Sequence, residues 1–233
     1  MNLLLAQSAD AKVSQKETSK HHKISIQEVH NAGEIVWSFF FLSPHEIFLT
    51  KREGGMSLVD LKTNKARPVT GGFPVDQVGQ GGLLDVQPHP KFKTNSWLYF
   101  TYSAKGSKQK GYTTYLGRAQ LKGNTLRKRE VLFEAKAHDS GGRHFGSRIV
   151  FDREGSIFMT VGDRGERHWA QKLDSHAGKV LRLTDRGKPH PQNPFLKKGV
   201  PEIYSYGHRN PQGLALSPSG DLWLSEHGPR GGD

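Results

Sequence analysis

Glu46-Ile47-Phe48-Leu49-Thr50, the turn Glu53-Gly54-Gly55, Met56-Ser57-Leu58-Val59-Asp60, the turn Thr63-Asn64 and then Ala66–Val69 form the stretch on which the fold is read. Each apolar run has the length of a strand, and each gap carries turn-forming glycine, asparagine or charged residues. The pattern repeats outward in Trp97–Tyr102, Thr113–Leu121 and Glu130–Ala135. Four longer segments share one design, an apolar strand, a turn and a strand rich in aromatics: Trp37–Thr50, Leu84–Tyr102, Ile149–Val161 and Leu214–Ser225. Their second strands are expected to begin near Glu46, Ser96, Ser156 and Asp221. A recurrence of about fifty to sixty-five residues fits the blade of a β-propeller with its loops. A lone four-stranded sheet cannot bury both of its faces, whereas blades stacked around an axis can. The expected fold is therefore an all-β propeller with about four blades. An irregular β-sandwich with coincidental hairpins is the competing architecture. Long helical periodicity is missing, and a short helix near Arg167–Leu173 is the best helical candidate.

Composition agrees with strands and sets outer limits. The chain has 233 residues, 27 of them glycine, with 34% hydrophobic residues. This disfavours a helical bundle, and the length allows a sizeable core without covalent staples. There is no cysteine, so disulfides, thiolate metal sites and thiol nucleophiles are excluded. Lys and Arg number 34 against 22 Asp and Glu, a formal net charge of +12. Much of the surplus lies in Lys105–Lys110, Lys122–Arg129 and Lys197–Lys198, which read as solvated loops or hairpins. No nucleic-acid-reading motif accompanies them, so nucleic acid is not expected as a partner. Residues 1–32 read as a mobile N-terminal arm and residues 33–233 as the propeller. Leu3–Ala6 is too short an apolar run for a secretory signal, and no stretch is long enough to span a membrane.

Chemistry concentrates in five segments where glycines meet polar residues: Gly79-Gln80-Gly81-Gly82-Leu83-Leu84-Asp85, His144-Phe145-Gly146-Ser147-Arg148, Gly162-Asp163-Arg164-Gly165-Glu166-Arg167, Tyr206-Gly207-His208-Arg209-Asn210-Pro211-Gln212-Gly213 and Glu226-His227-Gly228-Pro229-Arg230. In a propeller such loops gather at one end of the axis. Together with Ser175–Leu183 and Asn193-Pro194-Phe195, these segments resemble the glucose/sorbosone dehydrogenase family of soluble quinoproteins, the bacterial aldose sugar dehydrogenases above all. The resemblance runs from about Trp37 to Asp233 and covers about the first two-thirds of such a domain. It implies a six-bladed propeller of which this chain holds about four blades, with the rest of the cofactor clamp lying beyond Asp233. It also implies pyrroloquinoline quinone (PQQ) and calcium at the axis, oxidation of aldoses at C1 to lactones, an external electron acceptor, and a periplasmic or secreted setting.

The same resemblance assigns roles. His144 matches the catalytic base, and imidazole chemistry suits removal of a hydroxyl proton near neutral pH. Asp163 matches the carboxylate that orients it, although Asp-x-Gly is also ordinary turn chemistry. Arg209 matches the arginine over the quinone, where a fixed guanidinium stabilises developing negative charge. Asn210 and Gln212 match cofactor contacts. Gln80 either contacts sugar or satisfies a loop backbone. Gly228 and Pro229 match main-chain calcium ligands, oxygen donors suited to a hard cation. Arg143 precedes the base where some glucose-specific relatives carry an acid, which points to broad aldose use. Two rival functions remain beside this one: a non-catalytic propeller serving as a binding platform, and a calcium-dependent lactonase without a quinone.

Overall fold

The computed structural model describes residues 13–18 and 20–228. A hairpin comes first, β1 (Val13–Thr18) with β2 (Lys23–Gln27). The segment read as a mobile N-terminal arm thus contains a two-stranded sheet. It is separate from the sheets that follow, and every residue of β2 is exposed.

Three four-stranded antiparallel sheets and one two-stranded sheet then succeed each other along the chain. The first holds β3 (Val36–Ser43), β4 (Glu46–Lys51), β5 (Met56–Asp60) and β6 (Lys65–Pro68). The second holds β7 (Leu83–Pro88), β8 (Trp97–Lys105), β9 (Tyr112–Lys122) and β10 (Thr125–Glu134). The third holds β11 (Ile149–Phe151), β12 (Ile157–Val161), β13 (Lys179–Leu183) and β14 (Ile203–Tyr206). The last pairs β15 (Pro211–Leu216) with β16 (Leu222–Glu226). Each sheet is a meander in which every strand pairs with its sequence neighbour. Second strands begin at Glu46, Trp97, Ile157 and Leu222, within one residue of expectation. The short helix is a 3-10 turn, Arg167–Gln171. A one-turn helix at Phe92–Asn95 has no sequence period long enough to announce it.

The cores lie between sheets. Phe48, Met56 and Leu58 of the first sheet meet Val86, Leu98, Phe100 and Tyr102 of the second. Tyr99 and Leu116 on the other face of the second sheet meet Ile149, Ile157 and Met159 of the third. Central strands are therefore buried on both faces, which is why β4, β8 and β12 read as apolar runs without alternation. The first strands β3, β7, β11 and β15 contact one another in succession, as the inner ring of a propeller must. The fold is that of a β-propeller, with three full blades and two strands of a fourth among the described residues. The basic clusters fall where expected, on exposed loop and hairpin positions such as Lys108–Lys110 and Lys122.

Neighbouring blades are joined by a repeated hydroxyl. Thr50, Thr101 and Thr160 stand at equivalent positions of β4, β8 and β12, each with no exposed surface. Thr50 Oγ1 donates to the Leu84 carbonyl at 2.7 Å, Thr101 Oγ1 to the Ser147 carbonyl at 2.7 Å, and Thr160 Oγ1 to the Pro211 carbonyl at 3.1 Å. In each case the acceptor lies at the start of the next blade's first strand. Thr101 and Thr160 also accept from Asp85 N and Arg148 N of their own blades. A β-branched residue with a polar tip meets both demands of the site, burial in a sheet and a cross-blade bond.

Candidate active site

The segment His144–Ser147 leads into β11 with an unusual backbone. His144, Gly146 and Ser147 have φ of +52°, +63° and +86°. Two of these are non-glycine residues in a disfavoured region, a feature that recurs where a surrounding structure imposes a functional geometry. The imposing partner is Gly162, at the end of β12. A side chain on Gly162 would run into the His144 carbonyl, and one on Gly146 would sit 2.7 Å from Gly162 N. The two loops approach backbone to backbone, and the glycines permit it.

That approach sets His144 against Asp163. Nδ1 lies 2.6 Å from Asp163 Oδ1, with both residues buried. Oδ1 also accepts the Gly165 amide at 2.8 Å. A carboxylate oxygen that accepts from a backbone N–H acts as acceptor toward the ring as well, so Nδ1 carries the hydrogen. Nε2 is left as the basic nitrogen and bonds to no described group. Asp163 is thus a turn residue whose carboxylate also bonds the His144 ring.

The other loops converge on the same place. Gln80 Oε1 accepts the His144 amide at 2.8 Å, so its side-chain oxygen serves the loop backbone. Asn210 Oδ1 accepts from Gly146 N at 3.2 Å and from Gln212 Nε2 at 3.0 Å. The Arg209 carbonyl accepts the Asp163 amide at 2.7 Å, and its guanidinium donates to the His227 carbonyl at 2.6 Å. Four blades contribute to one locus. A cavity of about 240 Å³ opens there, walled by Trp37, Arg52, Gln80, Phe145, Asn210, Gln212 and His227 among others. His144 and Arg209 adjoin this cavity through bonds to its wall residues Gln80 and His227, and Asp163 stands behind His144. Gly228 follows His227 in the chain, while Pro229 lies outside the described residues. Among the described residues no group of three His, Asp or Glu side chains could hold a metal ion.

Two further residues organise the site. Asp85 is fully buried, and its carboxylate accepts from Ser38 Oγ (2.5 Å), Arg148 Nη1 (3.1 Å), Val86 N (2.9 Å) and Ile149 N (2.8 Å). Arg148 in turn donates through Nε to the Gln212 carbonyl at 2.9 Å and covers the Trp37 ring at 4.5 Å. One ion pair therefore links all four blades beneath the cavity. Burial pushes the Asp85 carboxyl above the usual range, against the pull of Arg148. An acid inside the apolar run Leu83-Leu84-Asp85-Val86 was the available signal, since a buried charge demands a partner. Arg164 is the second. Its guanidinium lies 3.6 Å over the Phe145 ring and donates to the carbonyls of Arg143 (2.6 Å) and Gly141 (3.0 Å), fixing the approach to His144. Burial lowers its pKa to about 10.

Comparison with known proteins gives a consistent picture. The family model for glucose/sorbosone dehydrogenase matches residues 33–233. The chain is 37% identical over 216 residues to the aldose sugar dehydrogenase YliI of Escherichia coli K12, covering 90% of this chain and 58% of that protein. It is 29% identical to quinoprotein glucose dehydrogenase B of Acinetobacter calcoaceticus, covering 91% and 49%. Among solved structures, the soluble aldose sugar dehydrogenase of E. coli in its apo-form superposes with a TM-score of 0.81 at 38% identity, over 86% of this chain and 59% of that one. The PQQ-bound aldose sugar dehydrogenase of Streptomyces coelicolor gives 0.76 at 27% identity, over 94% and 60%. The chain thus spans about half to three-fifths of the length of these relatives.

Proposed function

The chain belongs to the glucose/sorbosone dehydrogenase family, and on that footing we propose that its site serves the PQQ-dependent oxidation of aldoses at C1 to lactones. The observation that carries this reading is the buried His144–Asp163 pair at 2.6 Å, set beside the cavity with Nε2 free. The wall suits a flat, anionic, ring-shaped cofactor. Trp37 and Phe145 offer apolar faces, Asn210 and Gln212 offer amides, and Arg52 brings a cationic side chain whose buried Nε has no partner. When bound, PQQ supplies the hydride acceptor.

The chain's own groups do the rest. His144 Nε2 takes the proton of the C1 hydroxyl, and Asp163 holds the ring in the required tautomer and stabilises the imidazolium. Gln80 keeps its amide nitrogen for the sugar while its oxygen anchors His144. Arg209 adds positive charge at the cavity rim, where negative charge develops during the reaction. Calcium belongs to the same reading, with the main-chain oxygens of Gly228 and Pro229 as ligands. Among the described residues no carboxylate cluster stands ready for it. Arg143 is exposed, with its carbonyl held by Arg164, and supports use of several aldoses. An external acceptor completes turnover, in a periplasmic or extracellular setting. Among the described residues no helix is long and apolar enough to cross a membrane.

The test is reconstitution with PQQ and calcium, followed by dye reduction with a panel of aldoses. Aldose-dependent reduction that His144→Ala abolishes is the expected result. Reduction no greater than that of the variant would reject the proposal.

A further inference from the structure

The cavity wall contains one cation without a counter-charge. Arg52 follows β4 and is fixed by its backbone from both sides, its N–H donating to the Ile35 carbonyl and its carbonyl accepting from Leu83 N, each at 2.9 Å. Gly82 packs so tightly on it that a side chain there would strike the Arg52 carbonyl. Arg52 lines the cavity from this fixed backbone. Nη1 reaches the Gly79 carbonyl at 3.2 Å, while Nε is buried without any partner. No carboxylate pairs with Arg52 among the described residues. Arg148, the other guanidinium under this cavity, is answered by Asp85. The remaining polar wall residues are Gln80, Ser147, Asn210, Gln212 and His227, and none of them is an acid.

A buried guanidinium N–H with no acceptor is costly and calls for an explanation. The wall as a whole is positive, with flat apolar surfaces at Trp37 and Phe145. We propose that Arg52 recognises a carboxylate on a planar aromatic ligand bound in this cavity. The guanidinium fork matches a carboxylate in geometry as well as charge. The natural ligand being PQQ rests on the function proposed above; the anion site itself rests on the wall.

The experiment is equilibrium titration of the whole chain, wild type and R52Q and R52K, followed by tryptophan fluorescence or calorimetry. Three probes are used: PQQ, its uncharged trimethyl ester, and a plain quinoline dicarboxylate. R52Q should weaken PQQ and the dicarboxylate about 10- to 100-fold, with R52K intermediate, and change ester affinity less than about threefold. R52Q binding both anions as wild type does would overturn the proposal. Equal losses for the acid and the ester would also overturn it, because Arg52 would then act by packing the Gly79–Gly82 loop. Arg52-dependent uptake of the dicarboxylate without uptake of PQQ would uphold the anion site and reject the quinone reading. A wild-type chain that takes up neither anion defeats both.

Discussion

Replacing Thr101 with valine isolates the bond that joins one blade to the next. The substitution keeps the shape and the β-branch, so it opens no cavity and does not disturb strand preference. It removes one hydroxyl that donates to the Ser147 carbonyl at 2.7 Å and accepts from Asp85 N at 3.0 Å. Thr101 has no exposed surface, so water cannot replace either bond. Each main-chain group left unsatisfied in such a place costs about 1–3 kcal/mol, giving a loss of about 2–6 kcal/mol for the pair. Thr101→Ser retains the hydroxyl and gives up one methyl, about 1 kcal/mol. Urea unfolding followed by tryptophan fluorescence reads both losses as shifts in midpoint at unchanged slope. The expected order of stability is wild type, then serine, then valine. Thr160→Val should repeat the valine result, since Thr160 bonds Pro211 O and Arg148 N in the same way. Equal losses for serine and valine, or a valine loss under about 0.5 kcal/mol, would refute the claim that these hydroxyls fasten the blades.

Four other outcomes follow from the geometry. Asp163→Asn should cut kcat of the reconstituted protein by about 100- to 10,000-fold in dye reduction while leaving PQQ affinity unchanged in titration, because the tautomer is lost and the cavity wall is not touched. Gly162→Ala should lower both activity and melting temperature, since its methyl group collides with the His144 carbonyl. Asp85→Ala should cost about 3–5 kcal/mol in denaturant, more than an ordinary polar truncation, because Arg148 is left without its partner. Burial lowers the pKa of Lys179 to about 8 from an ordinary 10.5. Between those values the unfolded chain binds the proton and the folded one does not, so stability relative to Lys179→Met should rise with pH through that window and stay level at its lowest value below about pH 8. Melting curves of the two proteins from pH 7 to 11 measure the difference.

Much of the architecture was legible because it is written locally. In Ile47–Thr50, Leu98–Thr101 and Ile157–Thr160, an apolar run bounded by turn residues places a central strand whatever surrounds it. The residues at His144, Asp163, Asn210 and Gln212 were legible through motifs, and the structure brings them to one locus. Gln80 was read with two alternatives, and its side-chain oxygen bonds the His144 amide. The hairpin β1–β2 was missed because β1 is polar after Val13 and the Ile24/Ile26 alternation of β2 covers only five residues.

Residue order alone determined where strands begin and end, how often the unit recurs, and which loops carry chemistry, since turn preference and hydrophobic burial act over a few neighbours. Folding in three dimensions decided which hydroxyl fastens which blade, which arginine Asp85 neutralises and which one, Arg52, it leaves with a bare charge. The blade-fastening and Asp85–Arg148 bonds join groups 34 to 63 positions apart in the chain. Coulomb and hydrogen-bond energies depend on distances of a few ångströms, and no local pattern encodes such distances between separate sheets.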